Sequence, residues 1–250
     1  MTIKPFPPPE KFTIGELERR LKILKEEKKI PIIGKNRYSA VGESLERYLG
    51  LAKNTSKSAD WGEYELKTLK ETRSKLRLFS LNWNYSEDYS VRQLVLDYGK
   101  DHFSKHLQKQ VKRLDWKIPF SKIPLSQLHY TIAYDNELNL RYNEKILGKY
   151  KLNILEEHFN QKIKNLVLIE FVTTKNKQNL TFSINRVSLF EEASFKSFIF
   201  SIKNNIISLA FALMLIEPNS ENEKLNNRGA TIEIYYQDLK LIYNKISSIC

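Results

Sequence analysis

Cysteine is almost absent from this chain of 250 residues, which has a single one, Cys250. One thiol excludes an internal disulfide framework and a cysteine-cluster metal site, and it favours a reducing, intracellular location. Long hydrophobic runs are also missing. The most apolar run, residues 205–218, is too short for a membrane span and predicts a buried strand or a core helix. The proline-rich start lacks the apolar segment of a signal peptide.

Positive charge is what the chain has in excess. It carries 41 Lys and Arg residues against 29 Asp and Glu residues, a net charge of +12. This surplus predicts attraction to a polyanion, for which nucleic acid is the usual candidate. The alternative is a Lys- and Asn-rich composition inherited from an AT-rich genome. Hydrophobic residues make up 41% of the chain, enough for a packed core.

The N-terminal third shows local signals for two helices and two strands. Thr13 followed by Glu16 forms a capping box at the start of a helix over 13–29. A second helix is predicted over 41–51, with Gly50 near its C-terminal cap. Alternation of apolar and polar residues predicts strands at 63–70 and 74–83.

The remainder of the chain mixes further predicted strands and helices. Helices are predicted at 90–116, which is basic, at 193–205 and at 237–250; strands at 207–217 and 230–236; a hairpin within 128–147; and two strands within 161–190. No internal repeat or long linker interrupts the chain. We therefore expect one α/β domain over 1–250.

The pattern Asp60-x4-Glu65-x-Lys67 is the main candidate for chemistry. In a strand, Glu65 and Lys67 share a face, and Asp60 precedes the strand. Two nearby carboxylates favour a divalent cation such as Mg²⁺, and a lysine beside it can orient the attacking water. Glu46, on the preceding helix, is a third acid. The alternative is that these are an ordinary surface ion pair and solvated helix residues.

The two segments together resemble the shared signature of restriction-endonuclease-like nucleases of the MutH, MvaI and BcnI kind. The helix pattern appears as Gly42, Leu45, Glu46, Leu49 and Gly50, and the strand pattern as Asp60, Gly62, Glu65, Leu66 and Lys67. The resemblance implies catalytic roles for Glu46, Asp60, Glu65 and Lys67, with Asp60 and Glu65 as Mg²⁺ ligands supported by Glu46. The order of elements is most similar to the BcnI/MvaI branch.

This branch resemblance implies a type II restriction endonuclease that hydrolyses phosphodiester bonds in double-stranded DNA. It implies a restriction-endonuclease-like core, with a mixed β-sheet flanked by helices and a DNA-binding cleft between two lobes. We expect a catalytic region at about 10–120 and a recognition region at about 121–250. A monomer in the bacterial cytoplasm, encoded with a cognate DNA methyltransferase but not stably bound to it, is also implied.

Two other functions stay open at this point. One is a MutH-like mismatch-repair endonuclease that nicks one strand, which the C-terminal two-thirds fits less well. The other is a basic DNA-binding protein without catalytic activity, which would have no use for three acids aimed at phosphates.

Candidate DNA-contacting residues are basic or amide side chains outside the acidic motif. They are Lys35, Arg37, Arg73, Lys75, Arg77, Ser80, Lys109, Lys112, Asn226, Asn227 and Arg228. Lysine and arginine would neutralise phosphates, whereas Asn226, Asn227 and Arg228, expected in a polar loop, are the candidates for reading bases. The branch tends to carry histidine where Ser80 stands, so the target sequence is open. His102 and His106, at helical spacing, favour phosphate contact over zinc.

Overall fold

The computed structural model describes residues 3–33, 40–52, 59–81, 90–115, 122–133, 136–175 and 180–250. They form two compact units. The first comprises Met1–Leu76, His158–Ser197 and Tyr236–Cys250, and the second comprises Arg77–Glu157 and Phe198–Tyr235. Each unit draws on both halves of the chain. The assignment of catalysis to about 10–120 and of recognition to about 121–250, and the DNA cleft, stay predictions.

The mixed α/β class is confirmed. The helices are α1 Ile14–Glu26, α2 Ala40–Tyr48, α3 Val91–Tyr98, α4 Leu152–Ile163 and α5 Phe195–Lys203, with short 3-10 helices at Leu125–Gln127 and Tyr236–Leu241. The strands are β1 Ile30–Pro31, β2 Tyr64–Lys70, β3 Lys75–Leu81, β4 Lys100–Ser104, β5 Lys109–Asp115, β6 Leu128–Ile132, β7 Glu137–Tyr142, β8 Lys145–Lys151, β9 Asn165–Lys175, β10 Leu180–Ala193, β11 Ile207–Ile216, β12 Lys224–Tyr235 and β13 Tyr243–Ser248. Among the described residues no helix is long and apolar enough to cross a membrane.

The first unit contains a mixed five-stranded sheet in the order β1-β10-β9-β2, with β13 also paired to β10. β9 lies between β10, which is antiparallel to it, and β2, which is parallel to it. Its first five residues are all buried, as expected for a strand that is covered on both faces of the sheet. Leucines of α1 and α2 pack against this sheet in one core.

The second unit contains two sheets. One has five strands in the order β3-β12-β11-β5-β4, and the other is the three-stranded meander β6-β7-β8. The hairpin predicted within 128–147 is confirmed by the β6–β7 pairing. Asn136, in the turn before β7, has a φ of +58°, a conformation that Asn tolerates better than most residues.

Helix α1 begins and helix α2 ends as their sequence signals predict. The hydroxyl of Thr13 accepts a hydrogen bond of 3.3 Å from the Glu16 backbone N–H. At the end of α2, Gly50 has a φ of +82°, its N–H donates to the Arg47 carbonyl, and the Leu51 N–H donates to the Glu46 carbonyl. This is the paired hydrogen-bond pattern of a Schellman cap.

The basic helix predicted over 90–116 is wrong beyond its first two turns. α3 ends at Tyr98, and residues 100–115 form the hairpin β4–β5 instead. A Cβ on Gly99 would lie 2.9 Å from the Arg113 carbonyl oxygen, so only glycine allows this close return of the chain. Pairing of β5 with β11, remote in sequence, decides the strand conformation.

The C-terminal helix predicted over 237–250 is also wrong. After the 3-10 turn at Tyr236–Leu241, the chain forms β13 and pairs with β10. Helix α4 is an element that the sequence analysis missed. Its buried residues Leu155, Phe159 and Ile163 recur every four positions, which is a helical spacing.

Candidate active site

A tight turn brings Asp60 back beside β2. Trp61 and Tyr64 exchange two backbone hydrogen bonds of 2.9 Å, and Gly62 between them has a φ of +62°. Asp60 Oδ2 then accepts a hydrogen bond of 3.1 Å from the Leu66 N–H. The turn therefore fixes the Asp60 carboxylate against the start of the strand.

Trp61 anchors this turn in the core of the first unit. Its side chain is completely buried, and its indole Nε1 donates a hydrogen bond of 2.9 Å to the Thr13 carbonyl. A Cβ on Gly62 would lie 2.9 Å from the Phe12 carbonyl oxygen, which explains the glycine. Trp61 and Tyr64 are thus core residues.

Glu65 and Lys67 share one face of β2, as the alternation of a strand predicts. Lys67 Nζ donates directly to Glu65 Oε1. Glu65 is only 3% exposed, whereas the Lys67 side chain keeps 24% of its surface. Burial raises the pKa of Glu65, Lys67 opposes that rise, and the nearby charge of Asp60 adds to it.

Lys162 is a site residue that the sequence analysis missed. Its Nζ lies 3.4 Å from Glu65 Oε2, on the other carboxylate oxygen from the one that Lys67 contacts. Lys162 belongs to the last turn of α4, immediately before β9. The helical spacing of Leu155, Phe159 and Ile163 would have predicted that helix, but not its contact with Glu65.

Glu46 lies on α2, which packs against β2. A Cβ on Gly42 would lie 3.5 Å from Thr68 Oγ1, an ordinary contact distance, so the helix and the strand are close there. Burial raises the pKa of Glu46, and the charges of Asp60 and Glu65 raise it further while Lys67 lowers it. All four predicted catalytic residues therefore influence one another electrostatically within the first unit.

The donor chemistry of this group suits a hard divalent cation. Asp60, Glu65 and Glu46 offer carboxylate oxygens, the ligands that Mg²⁺ prefers, and their mutual repulsion is relieved by positive charge. Among the residues that the structure describes, no three acids, histidines or cysteines already form a group that could hold a metal ion. Mg²⁺ is commonly held by one or two carboxylates and completes its shell with water, so Asp60 and Glu65 are sufficient as protein ligands.

The predicted phosphate contacts lie in both units. Arg73 and Lys75 are exposed near the β2–β3 turn of the first unit, whereas Lys35 and Arg37 lie outside the described residues. In the second unit, Arg77 Nε lies 3.9 Å from Glu233 Oε1, and the exposed Ser80 Oγ lies 3.4 Å from Thr231 Oγ1. Their DNA contacts stay predictions.

The remaining candidates occupy strands rather than the elements predicted for them. Lys109 Nζ lies 2.7 Å from Glu217, and Lys112 Nζ lies 3.2 Å from Asp101. His102 is in β4 and His106 is in the turn before β5, so their helical spacing is not realised. The two lysines therefore stand on a hairpin and not on one face of a helix.

The polar loop expected around Asn226, Asn227 and Arg228 is shorter than predicted. All three residues belong to β12, where Asn226 pairs with Met214 and Asn227 pairs with Leu213 of β11. Asn227 is exposed, and its Oδ1 accepts a hydrogen bond of 2.9 Å from the Gly229 N–H. A role in reading bases stays a prediction.

Comparisons with known proteins agree with these motifs. The model of the MvaI/BcnI restriction endonuclease family matches residues 18–243. A solved complex of restriction endonuclease MvaI with cognate DNA aligns over 94% of this chain and 98% of its own, with 14% identity and a TM-score of 0.71. MvaI without DNA aligns over 95% and 97%, with 14% identity and a TM-score of 0.49.

Comparison with individual curated proteins gives no match. The family model alone covers most of the chain, including both motif segments, and it names the branch that the order of elements favoured. The chain belongs to the MvaI/BcnI restriction endonuclease family, and it is accordingly a type II restriction endonuclease, a site-specific nuclease of DNA.

Proposed function

We propose that Glu46, Asp60, Glu65 and Lys67 are the active site with which this enzyme hydrolyses phosphodiester bonds of double-stranded DNA, and that the reaction requires Mg²⁺. The observation that supports this most is the nearly buried Glu65 carboxylate, which lies beside a second acid and is bonded by Lys67. A buried carboxylate next to further acids costs folding free energy, so such an arrangement is typical of functional sites.

Asp60 and Glu65 would hold the Mg²⁺, with Glu46 supporting it or its water. When bound, Mg²⁺ supplies Lewis-acid stabilisation of charge on the scissile phosphate and activation of water. The hydrogen bond from the Leu66 N–H to Asp60 Oδ2 keeps that carboxylate oriented beside the strand that carries Glu65.

Lys67 is proposed to position the attacking water and to stabilise negative charge that develops on the phosphate. Its ammonium bonds Glu65 on β2, and its side chain is 24% exposed, so it is accessible to a substrate. In-line attack would leave 5′-phosphate and 3′-hydroxyl ends.

Double-stranded DNA is the proposed substrate. The net charge of +12 favours a polyanion, and the solved complex with a TM-score of 0.71 is one of MvaI with cognate DNA. The exposed Arg73, Lys75 and Arg77 are proposed phosphate contacts. Asn226 and Asn227 are proposed to read base edges, since Asn pairs with adenine in the major groove.

The biological setting follows from family membership and is likewise proposed. A restriction endonuclease acts in the bacterial cytoplasm and needs a cognate methyltransferase that protects the host DNA, without forming a stable complex with it. We propose that the enzyme acts as a monomer that cuts the two strands one after the other.

Plasmid DNA tests this proposal. Incubation with Mg²⁺ is expected to give discrete fragments, and excess chelator is expected to stop the reaction. Nicks in one strand that appear only with partner proteins would support a mismatch-repair enzyme instead. Binding to the plasmid without cleavage, in Mg²⁺ and in Mn²⁺, would refute the proposed activity. Sequencing of the fragment ends gives the recognition site.

A further inference from the structure

The carboxylate of Glu65 has a lysine on each of its two oxygens. Lys67 donates to Oε1 from the same strand, and Lys162 Nζ lies 3.4 Å from Oε2. Lys67 is part of the family motif, but Lys162 comes from a helix that is 97 residues away in sequence. Its presence needs an explanation of its own.

The fold holds Lys162 in place at the end of α4. Leu155, Phe159 and Ile163, on one stripe of that helix, are completely buried. The Tyr243 hydroxyl donates a hydrogen bond of 2.8 Å to the Ile163 carbonyl, at the last residue of the helix. The backbone of Lys162, one position before this carbonyl, is therefore fixed in place.

The step from α4 into β9 then sets the register with the catalytic strand. β9 begins at Asn165, which pairs with Tyr64, and the next residue pairs with Glu65 in parallel. The last turn of α4 therefore lies beside the end of β2 that carries Glu65. The contact follows from two buried elements and not from a flexible side chain alone.

Burial distinguishes this ion pair from the surface pairs of the chain. Lys162 and Glu65 side chains are 19% and 3% exposed, whereas the Lys245 and Glu192 side chains are 64% and 53% exposed. Exposed ion pairs such as Lys245–Glu192 contribute little to stability. A buried charge, in contrast, needs a partner that compensates for its loss of hydration.

We propose that Lys162 is a positioning residue of the active site, which orients Glu65 through Oε2 and supplies a positive charge that a divalent cation must compete with. This inference rests on the proposed function for its effect on catalysis. A Glu65 released from Lys162 rotates more freely, and small misplacements of a ligand carboxylate slow an oriented reaction.

The test compares Lys162→Gln with Lys164→Gln. Lys164 is exposed, two residues away, and the substitution removes the same charge without touching Glu65. Mn²⁺ binding is measured without DNA, by electron paramagnetic resonance of the free ion. Cleavage of plasmid is measured at saturating Mg²⁺, and thermal melting of each variant checks that it is folded.

We expect Lys162→Gln to bind Mn²⁺ about three- to tenfold more tightly, the scale of a partly buried charge removed from beside the ion. We also expect it to cleave DNA about tenfold more slowly, as for other residues that orient a ligand. Lys164→Gln should match the unchanged protein in both. Lys162→Arg keeps the charge, so its Mn²⁺ affinity should stay unchanged.

Opposite signs in the two measurements are the signature of the proposal, because a general loss of structure would weaken both. Weaker Mn²⁺ binding together with slower cleavage and a lower melting temperature would overturn it. So would behaviour of Lys162→Gln identical to that of Lys164→Gln. If even the unchanged protein fails to cleave, the proposed function falls, whereas tighter Mn²⁺ binding by Lys162→Gln still supports the contact with Glu65.

Discussion

At the scale of single residues, Glu65 shows how a costly side chain is retained. Its carboxylate is nearly buried, and burial raises its pKa. Lys67 and Lys162, one on each carboxylate oxygen, offset that cost. Both cations lie where a divalent ion would add further positive charge. A divalent cation would therefore have to compete with Lys67 and Lys162 for the Glu65 carboxylate.

Replacing Lys67 or Asp60 by alanine tests the catalytic assignment. We expect each variant to lose at least about a hundredfold in cleavage rate, the scale of a missing proton-transfer or charge-stabilising group. DNA binding, measured with Ca²⁺ in place of Mg²⁺, should change little. Lys70→Ala, on the same strand, is the control and should cleave normally. Full activity of either site variant would remove that residue from the proposed site.

Glu16 provides a test of pH dependence outside the active site. Hydrogen bonds from Arg19, and then from Arg20, lower its pKa from 4.5 to about 2. A depressed carboxylate pKa stabilises the fold above the unfolded value, and this contribution is lost as the pH falls through the folded value.

Glu16→Gln should therefore have a smaller free energy of unfolding than the unchanged protein at pH 7. The gap should shrink as the pH falls from about 4.5 towards about 2. Urea unfolding at a series of pH values measures this gap. Glu26→Gln, at the exposed other end of α1, is the charge control and should show no such gap. A gap for Glu16→Gln that is independent of pH would contradict the assignment.

Signals at the residue scale identified only part of the site. Asp60, Glu65 and Lys67 were predictable because one turn and one strand bring them together over a few residues. Lys162 was not, because its contact depends on where α4 ends and on the parallel pairing of β9 with β2. Whether an acid of α2 lies near the strand also depends on packing between elements.

At the scale of elements, hydrogen bonds from one side chain to backbone carbonyls hold the end of α2, in addition to apolar packing. The buried Arg20 donates hydrogen bonds of 2.6 Å to the Leu49 carbonyl and 2.7 Å to the Pro7 carbonyl. Gly50 passes so close to the N-terminal segment that a Cβ would lie 2.4 Å from the Pro7 carbonyl oxygen. This junction fixes the helix that carries Glu46.

Gly50→Ala is expected to destabilise the protein by about 1–3 kcal/mol, because the residue has a left-handed backbone and no room for a Cβ. Gly15→Ala is the matched control. Gly15 lies in α1, and a Cβ there meets nothing within 4 Å, so alanine should stabilise by up to about 1 kcal/mol. Urea unfolding compares both variants, and equal stabilities would contradict the strain at Gly50.

Elements with strong local signals were predicted, whereas two stretches whose strand conformation depends on distant pairing were predicted as helices. The capping box at Thr13 and the glycine at position 50 act within a few residues, so α1 and α2 were recognisable. The lysine-rich stretch after Gly99 has no decisive period of its own. Its pairing with β11 makes it a hairpin, and the pairing of the C-terminus with β10 likewise makes a strand.

At the scale of the whole molecule, the charge surplus governs association with DNA. Neutralising about four phosphates makes the affinity fall about a hundredfold between roughly 50 and 200 mM salt. We expect a fall of at least this size for the protein, given its net charge of +12. Fluorescence anisotropy with labelled duplex DNA and Ca²⁺ measures it. An affinity that does not change with salt would contradict phosphate binding as the main attraction.

Family membership and composition were also readable from the sequence at this scale, but the division into units was not. Each unit joins segments from both halves of the chain, so no composition shift marks a boundary between them. The order in which strands join a sheet depends on pairings over long sequence distances. The local alternation of apolar and polar residues does not reveal such pairings.

The parallel pairing of β2 has a consequence for the time at which the enzyme is assembled. β2 lies at the edge of its sheet with β9 as its neighbour, and the partner of Glu65 across that pair is Leu166. While a ribosome is still making the first half of the chain, β9, the neighbour of this strand in the described sheet, has not yet been synthesised. If Glu65 and Lys67 act as proposed, the active site is therefore completed only after translation has passed β9, which delays cleavage of any DNA that the nascent chain meets.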